Sequence, residues 1–395
     1  MSSKFPLLKL PTLVFNTVVA NFNVFELVSL ALCSKSSKSQ CKQYRSQTNL
    51  KKQIENFHVE FSTVCEVRIK FYPSLTSELM FYVEKLENEE EMSSYSQIFD
   101  NMYIPNGWRP RMNDIAHDDW FPFKQPFISE FSQFLYYSND TLSAVSSWIA
   151  FLSDLFTSQP SLFCINFDCF HKGDIDRIMS LPFPIARFVM KHNNDGIEID
   201  EELALSILKR QNATKGLKLE FKPSERFHFN FDTLRKAPDH LEIDHSHWVS
   251  WQQVIEMSSI DVAILRSNFS NSDFKSLVEK WKNGWTPKWK RIMIEFCETL
   301  DVDSYISDPI IDVTESGCGR RDLITRNIAI YAYKFQLEFS YGIGSILKNG
   351  YHLTREDRSI ATITVENNKI GWFIIQNDTD PNFIVYSNKR TFCLN

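Results

Sequence analysis

Glycine is scarce in this chain, 11 of 395 residues, and nowhere does it complete a phosphate loop. Gly342-Ile343-Gly344-Ser345 starts like one, but Gly350 falls at the wrong interval and no Lys-Ser/Thr pair follows. The eight cysteines include no C-x-x-C pair, which removes the common zinc-finger and dithiol redox patterns and leaves scattered reduced thiols of an intracellular protein, cytoplasmic and/or nuclear. Long apolar runs are missing too. No segment approaches the roughly 20 uninterrupted apolar residues of a membrane span, and Lys9, Pro11, Asn16, Thr17 and Asn21 interrupt the one N-terminal stretch that could pass for a signal peptide. There is no basic excess: 43 Lys and Arg against 49 Asp and Glu, net charge −6, argue against nucleic acid as a partner, because phosphate contacts need clustered cations.

What the chain does hold is aromatic mass, with 33 Phe and nine Trp in an ordinary globular composition, enough for two or three domains. Leu10-Pro11 reads as a helix start, with proline at the first helical position. After it Leu10, Val14 and Val18 recur every four residues beside Phe15, Val19 and Phe22. Asn23 is placed to cap a second helix striped by Leu27, Leu30 and Ala31. Two such short amphipathic helices bury little by themselves, so their apolar faces call for a partner.

The opening Phe5-Pro6-Leu7-Leu8-Lys9-Leu10-Pro11 and the run Leu32-Cys33-Ser34-Lys35 resemble the F-box of the large nematode family whose members carry a second, F-box-associated domain. That resemblance implies docking onto a Skp-type adaptor, and through it a cullin, by Leu10, Pro11, Val14, Val18, Val19, Leu27 and Leu30. Ser39-Gln40-Cys41-Lys42 is more polar than the third helix the family implies.

Further on, Val64–Phe71 alternates as a strand does, Ile104–Pro110 carries loop chemistry, and 72–138 has no assignable fold. From Asn139 or Asp140, either placed as a cap, Leu142, Val145, Ile149, Leu152 and Phe156 share one helical face. A cycle of strand, turn and helix then returns about every 22 to 30 residues, close to leucine-rich-repeat spacing. Its strands are Phe163–Phe167, Arg187–Met190, Leu217–Phe221, Leu241–Ile243, Val262–Leu265 and Trp289–Phe296. Its best helix has Ser270 and Asp273 as a capping box before Phe274, Leu277, Val278 and Trp281. The stretch 235–300, with Trp281-Lys282-Asn283-Gly284, resembles the F-box-associated domain, and Leu353–Arg358 resembles its closing segment. Ile360–Val365, Asn367-Asn368-Lys369 and Ile370–Ile375 read as a hairpin.

Chemistry-bearing sets are sparse. His240, His245 and His247 with Asp244 lack a fourth ligand at a familiar spacing; Cys318 beside Arg320 and Arg321 lacks a placed base; Trp281, Trp285 and Trp289 among lysines read first as core and only second as a stacking surface. The expectation is an α+β or α/β repeat protein with no catalytic, cofactor or metal residues: a small all-helical F-box at 1–50, a connecting region at 51–138, an irregular strand-helix stack at 139–300 and an antiparallel β cap at 301–395. Its expected role is substrate receptor of an SCF-type ubiquitin ligase, binding an unknown target protein. The alternative is a free-standing protein- or peptide-recognition module with a decayed F-box.

Overall fold

The structure, a computed structural model, describes residues 9–22, 24–47, 53–72, 77–85, 109–112, 130–192, 199–304, 306, 310–312, 332–335, 339–340, 346–347, 350–355, 357, 359–377, 384–387 and 390–393. It is a mixed α/β protein. Its contacts divide it into two compact units, Met1–Ile197 with Arg210–Ala213, and Glu198–Lys209 with Thr214–Asn395. The division falls inside the stretch read as one repeat array. The cap expected from Asn23, Cys318 with its glycines, and Gly342–Ser345 lie outside the described residues.

The first unit opens with three helices, α1 (Thr12–Ala20), α2 (Val24–Cys33) and α3 (Lys35–Gln47). Pro11 stands just before the first helical turn rather than in it, with φ −51° and ψ 143°; its carbonyl accepts the first helical bond from the Phe15 N–H at 2.9 Å. Phe15 and Val19 are the buried residues of α1. The polar third helix is capped by Ser34, whose Oγ accepts the Ser37 N–H at 3.0 Å. It buries Ser37, Cys41 and Tyr44 while turning its lysines outward.

Strands β1 (Gln53–Phe61), β2 (Cys65–Tyr72) and β3 (Ser77–Lys85) form an antiparallel meander. β5 (Glu130–Ser138) pairs parallel to β3, and β4 (Arg109–Met112) pairs antiparallel to β5. Arg109 and Pro110 thus belong to a strand rather than the expected loop. β4 ends the sheet, the place in a sheet where proline is tolerated. On the other side β6 (Leu162–Asn166) pairs parallel to β1, and β7 (Arg187–Lys191) parallel to β6. Helix α4 (Thr141–Phe156), capped by the Asp140 carboxylate on the Ser143 N–H at 3.1 Å, covers the meander: Phe156 meets Phe71 at 5.3 Å and Trp148 meets Phe81 at 4.6 Å between ring centres. Helix α5 (Lys172–Met179) follows β6.

In the second unit, helix α6 (Glu201–Arg210) contributes all but its last residue. The strands β8 (Gly216–Glu220), β9 (His240–Ile243), β10 (Asp261–Ile264) and β11 (Arg291–Glu295) run parallel. Helices α7 (Trp251–Glu256) and α8 (Asn271–Lys282) return the chain between them. The capping box at Ser270 and Asp273 forms as expected, and Ser250 with Gln253 makes a second one on α7. Only a short 3-10 turn, Phe231–Thr233, lies between β8 and β9 among the described residues.

The C-terminal strands extend the parallel ones. β17 (Ser359–Glu366) and β18 (Ile370–Asn377) form the expected hairpin, and β18 pairs antiparallel with β11. β16 (Gly350–Thr354) and β13 (Ala332–Phe335) continue antiparallel, and β12 (Ile310–Asp312) pairs parallel to β13. β14 (Phe339–Ser340), β15 (Ile346–Leu347), β19 (Ile384–Ser387) and β20 (Arg390–Cys393) form a small separate sheet. The unit's core is aromatic, with Trp281, Trp289, Phe274, Phe296 and Phe373 at 2 % exposure or less. Trp281 and Trp289 meet Phe373 edge-on at 6.1 and 5.9 Å.

Candidate functional site

Two surfaces and one side-chain cluster stand out among the described residues. The first surface is the outer side of α1. Among the described residues, exposed large apolar side chains are few: Leu13 at 79 %, Val14 at 45 %, Val64 at 36 % and Ile260 at 42 %. Two of them are neighbours on α1, next to exposed Pro11 and half-exposed Leu10 and Val18. Leaving such groups in water forfeits about 25 cal/mol for each Å² that a partner would cover.

The structure splits the expected adaptor-binding set. Pro11 and Val14 are exposed and Leu10, Val18 and Leu30 half-exposed, whereas Val19 at 2 % and Leu27 at 9 % face inward. Leu27 is taken up by α3, where the Cys41 thiol lies against its carbonyl oxygen at 4.0 Å. Leu13, absent from that set, is its most exposed neighbour; four-residue spacing selected the line through Val14 and passed over it. Helix α3 is held to α4, since Lys38 reaches Asp154 at 2.8 Å, Lys42 pairs with the same carboxylate, and the Lys38 ammonium lies 4.6 Å above the Phe151 ring. Those two lysines hold the Asp154 carboxyl below its ordinary pKa.

The second surface follows from strand register. Leu217, Leu219, Leu241, Ile243, Val262, Ile264, Ile292 and Ile294 are buried, and the residues alternating with them form the other face of the parallel strands. In-register pairing sets their charges in rungs. One rung is His240, Asp261 and Arg291: the Asp261 carboxylate takes His240 Nδ1 at 2.6 Å and Arg291 Nη2 at 2.5 Å. The next is Lys218 opposite Glu242, with the ammonium 2.9 Å from Glu242 and 2.7 Å from Glu220. Burial disfavours the Lys218 ammonium, yet these two carboxylates hold its pKa above the ordinary lysine value. Asp244, just past β9, has its carboxyl pKa raised, chiefly by burial. Met293 and Trp372 pair across β11 and β18 at the far end of the face.

The cluster belongs to the first unit. On β1, Phe57, Val59 and Phe61 are buried while His58 and Glu60 turn to the other face, and Glu60 lies opposite Cys164 of β6 in the parallel register. One donor atom from each of His58, Glu60 and Cys164 falls within 4.8 Å of the others. Lys191 of β7 adds its ammonium 3.3 Å from Glu60 Oε1. Burial works against that charge, but the Cys164 sulfur and Glu60 carboxylate beside it raise its pKa. His58 has its pKa lowered, above all by burial, and its Nε2 is buried without a hydrogen-bond partner.

The histidines singled out from sequence do not converge. His240 pairs with Asp261, His245 Nε2 meets Arg266 Nη1 at 2.8 Å, and His247 Nε2 meets the Pro223 carbonyl at 3.0 Å. β9 ends at Ile243, so His245 and His247 lie in the turn beyond the strand. Trp281 and Trp289 are core side chains, and half-buried Trp285 is covered by the Lys280 ammonium at 5.2 Å. No helix among the described residues is long and apolar enough to cross a membrane. Comparisons with protein-family models, with curated proteins and with solved structures found no match.

Proposed function

We propose that this chain is a non-catalytic receptor that docks a Skp-type adaptor of an SCF-type cullin-RING ligase through its N-terminal helices and holds a target protein on the charged strand face of its second unit. The observation that carries the reading is the apolar ridge of α1, where Leu13 and Val14 stand 79 % and 45 % exposed beside Pro11. Covering these side chains with a partner would return the free energy of their exposed apolar area, and a few such central contacts carry most of the energy of an interface. The resemblance of residues 5–35 to an F-box supplies the identity of the partner. On the strand face and at its ends the carboxylates Glu220, Glu242, Asp244, Asp261 and Glu295 outnumber Lys218, Arg266 and Arg291, which suits a target segment bearing lysine or arginine. Tethering target and charged enzyme in one assembly raises their effective concentration, and that is all the catalysis the receptor supplies.

Co-purification of the full chain with a Skp-type adaptor tests the reading. Wild type should retain the adaptor and Leu13→Asp/Val14→Asp should lose it while keeping its unfolding temperature. A folded wild type that retains none refutes the docking role. One observation favours a second reading, a free-standing recognition module: Val19 and Leu27 are buried within the chain and α3 is tied to α4 through Asp154, so part of the expected docking face is used internally. That reading predicts no adaptor bound and a target still captured by the strand face.

A further inference from the structure

The cluster on the first unit's sheet is independent of both surfaces above. Its placement is a consequence of register: Glu60 sits opposite Cys164 in the parallel pair of β1 and β6, and His58, two residues earlier on β1, shares the same face. Nitrogen, oxygen and sulfur donors thus converge from two adjacent strands. The Cys164 side chain is 1 % exposed, while His58, Glu60 and Lys191 are 15 %, 24 % and 27 % exposed, so the sulfur forms the floor of the cluster and the other three form its rim. His58 Nε2 stands 3.8 Å from Glu60 Oε2, beyond hydrogen-bond length, and has no other hydrogen-bond partner.

We propose that His58, Glu60 and Cys164 form a binding site for a borderline-soft divalent cation of the Zn²⁺ class, with Lys191 as the resident cation that such a metal displaces. The donor set selects the class, since imidazole and thiolate suit Zn²⁺ while Mg²⁺ and Ca²⁺ demand oxygen. Ligand bonds of about 2.0–2.3 Å place tetrahedral donors roughly 3.3–3.8 Å apart. The 4.8 Å limit on the present donor separations is therefore closed by side-chain rotation of about 1 Å without moving a strand. Binding converts the Cys164 thiol to thiolate with release of its proton to solvent, and the Lys191 ammonium, 3.3 Å from Glu60 Oε1, swings outward from the half-exposed rim. The fourth ligand is water. Because its ligands lie on neighbouring strands, the metal would staple β1 to β6.

Cobalt(II) titration of the full chain tests this, with the thiolate-to-cobalt charge-transfer band as readout and Zn²⁺ as competitor. One equivalent should bind, and Zn²⁺ should erase the band. Cys164→Ser should abolish the band, and His58→Gln, which keeps a polar side chain at this largely buried position, should weaken binding at least tenfold in a protein that still folds. Lys191→Met should tighten binding, because it removes the competing cation, whereas a purely structural Lys191–Glu60 pair predicts no cobalt spectrum in either protein. Absence of the band in folded wild type overturns the proposal. So does a band that survives Cys164→Ser, because the sulfur would then be another thiol such as exposed Cys33 or Cys297.

Discussion

Replacement of Arg355 should destabilise the second unit more than most single substitutions. This side chain is 8 % exposed and its guanidinium is used on every edge. Nη1 donates to the Trp281 and Trp285 carbonyls at 3.1 and 3.0 Å, while Nη2 donates to Thr286 Oγ1 at 3.0 Å and to Asp357 at 2.5 Å. The plane lies 4.8 Å from the Trp281 ring. The Trp281 carbonyl lies in the last turn of α8, where a cation is favourable, and it also accepts the Gly284 N–H at 3.0 Å; the Trp285 carbonyl, just past the helix, takes its hydrogen bond from Arg355. In Arg355→Met the apolar stem is kept and the donors are lost. Leaving a buried carbonyl unpaired costs about 1–3 kcal/mol and a desolvated cation–π contact is worth about 2 kcal/mol. Asp357 is 53 % exposed, so its ion pair adds little, and removing a buried charge returns part of its desolvation cost. The net expectation is about 3 kcal/mol, or roughly 6–12 °C in Tm for a unit of this size. Arg355→Lys should fall between, because one ammonium cannot serve both carbonyls and the carboxylate. Urea unfolding followed by tryptophan fluorescence reads the difference. A loss below about 0.5 kcal/mol for Arg355→Met, the size of an ordinary surface change, would refute the reasoning.

Other outcomes follow from the same geometry. Gly371→Ala places its methyl 2.9 Å from a Phe296 ring carbon, 3.0 Å from Leu300 and 3.2 Å from Phe274, and should cost about 1–3 kcal/mol by overpacking, measured by thermal unfolding. Asp140→Ala removes the cap of α4 and should cost about 1 kcal/mol at pH 7. Hydrogen bonds from Arg177, then from the Ser143 N–H, hold the Asp140 carboxyl below its ordinary pKa; its contribution is therefore present above about pH 4 and lost as pH falls through the folded value, so the two proteins should converge in acid. Among the described cysteines, iodoacetamide should label exposed Cys33 and Cys297 first. Burial pushes the Cys41 and Cys65 thiols up to about 12 and about 11, and peptide mass spectrometry should find them unmodified until the chain is unfolded.

Local pattern was readable wherever one face is buried and a cap or turn marks the end. The hairpin of β17 and β18 shows why: Asn367 and Asn368 adopt φ of 51° and 59°, the left-handed pair that a tight hairpin turn demands and that asparagine tolerates. Ser270 with Asp273 announced α8 for a similar reason, because both groups of the capping box lie within one turn of sequence. The strands β3, β4 and β5 were not legible; β3 and β5 pair in parallel across a long intervening stretch, and no local signal records such a partner. The cluster of His58, Glu60 and Cys164 escaped for the same cause. Each residue alternates correctly within its own strand, but only the register of β1 against β6 brings them together. On α1, a four-residue period located the helix and could not tell which side faces out. Phe15 and Val19 turned inward, leaving Leu13 and Val14 exposed.

The affinity of the purified full chain for a Skp-type adaptor, measured by calorimetry beside the Leu13→Asp/Val14→Asp protein, bears most directly on the receptor role. The account predicts saturable one-to-one binding by wild type and at least a tenfold loss in the double variant with unfolding unchanged, the size expected when interface anchors are removed. Equal affinity in the two folded proteins would contradict it.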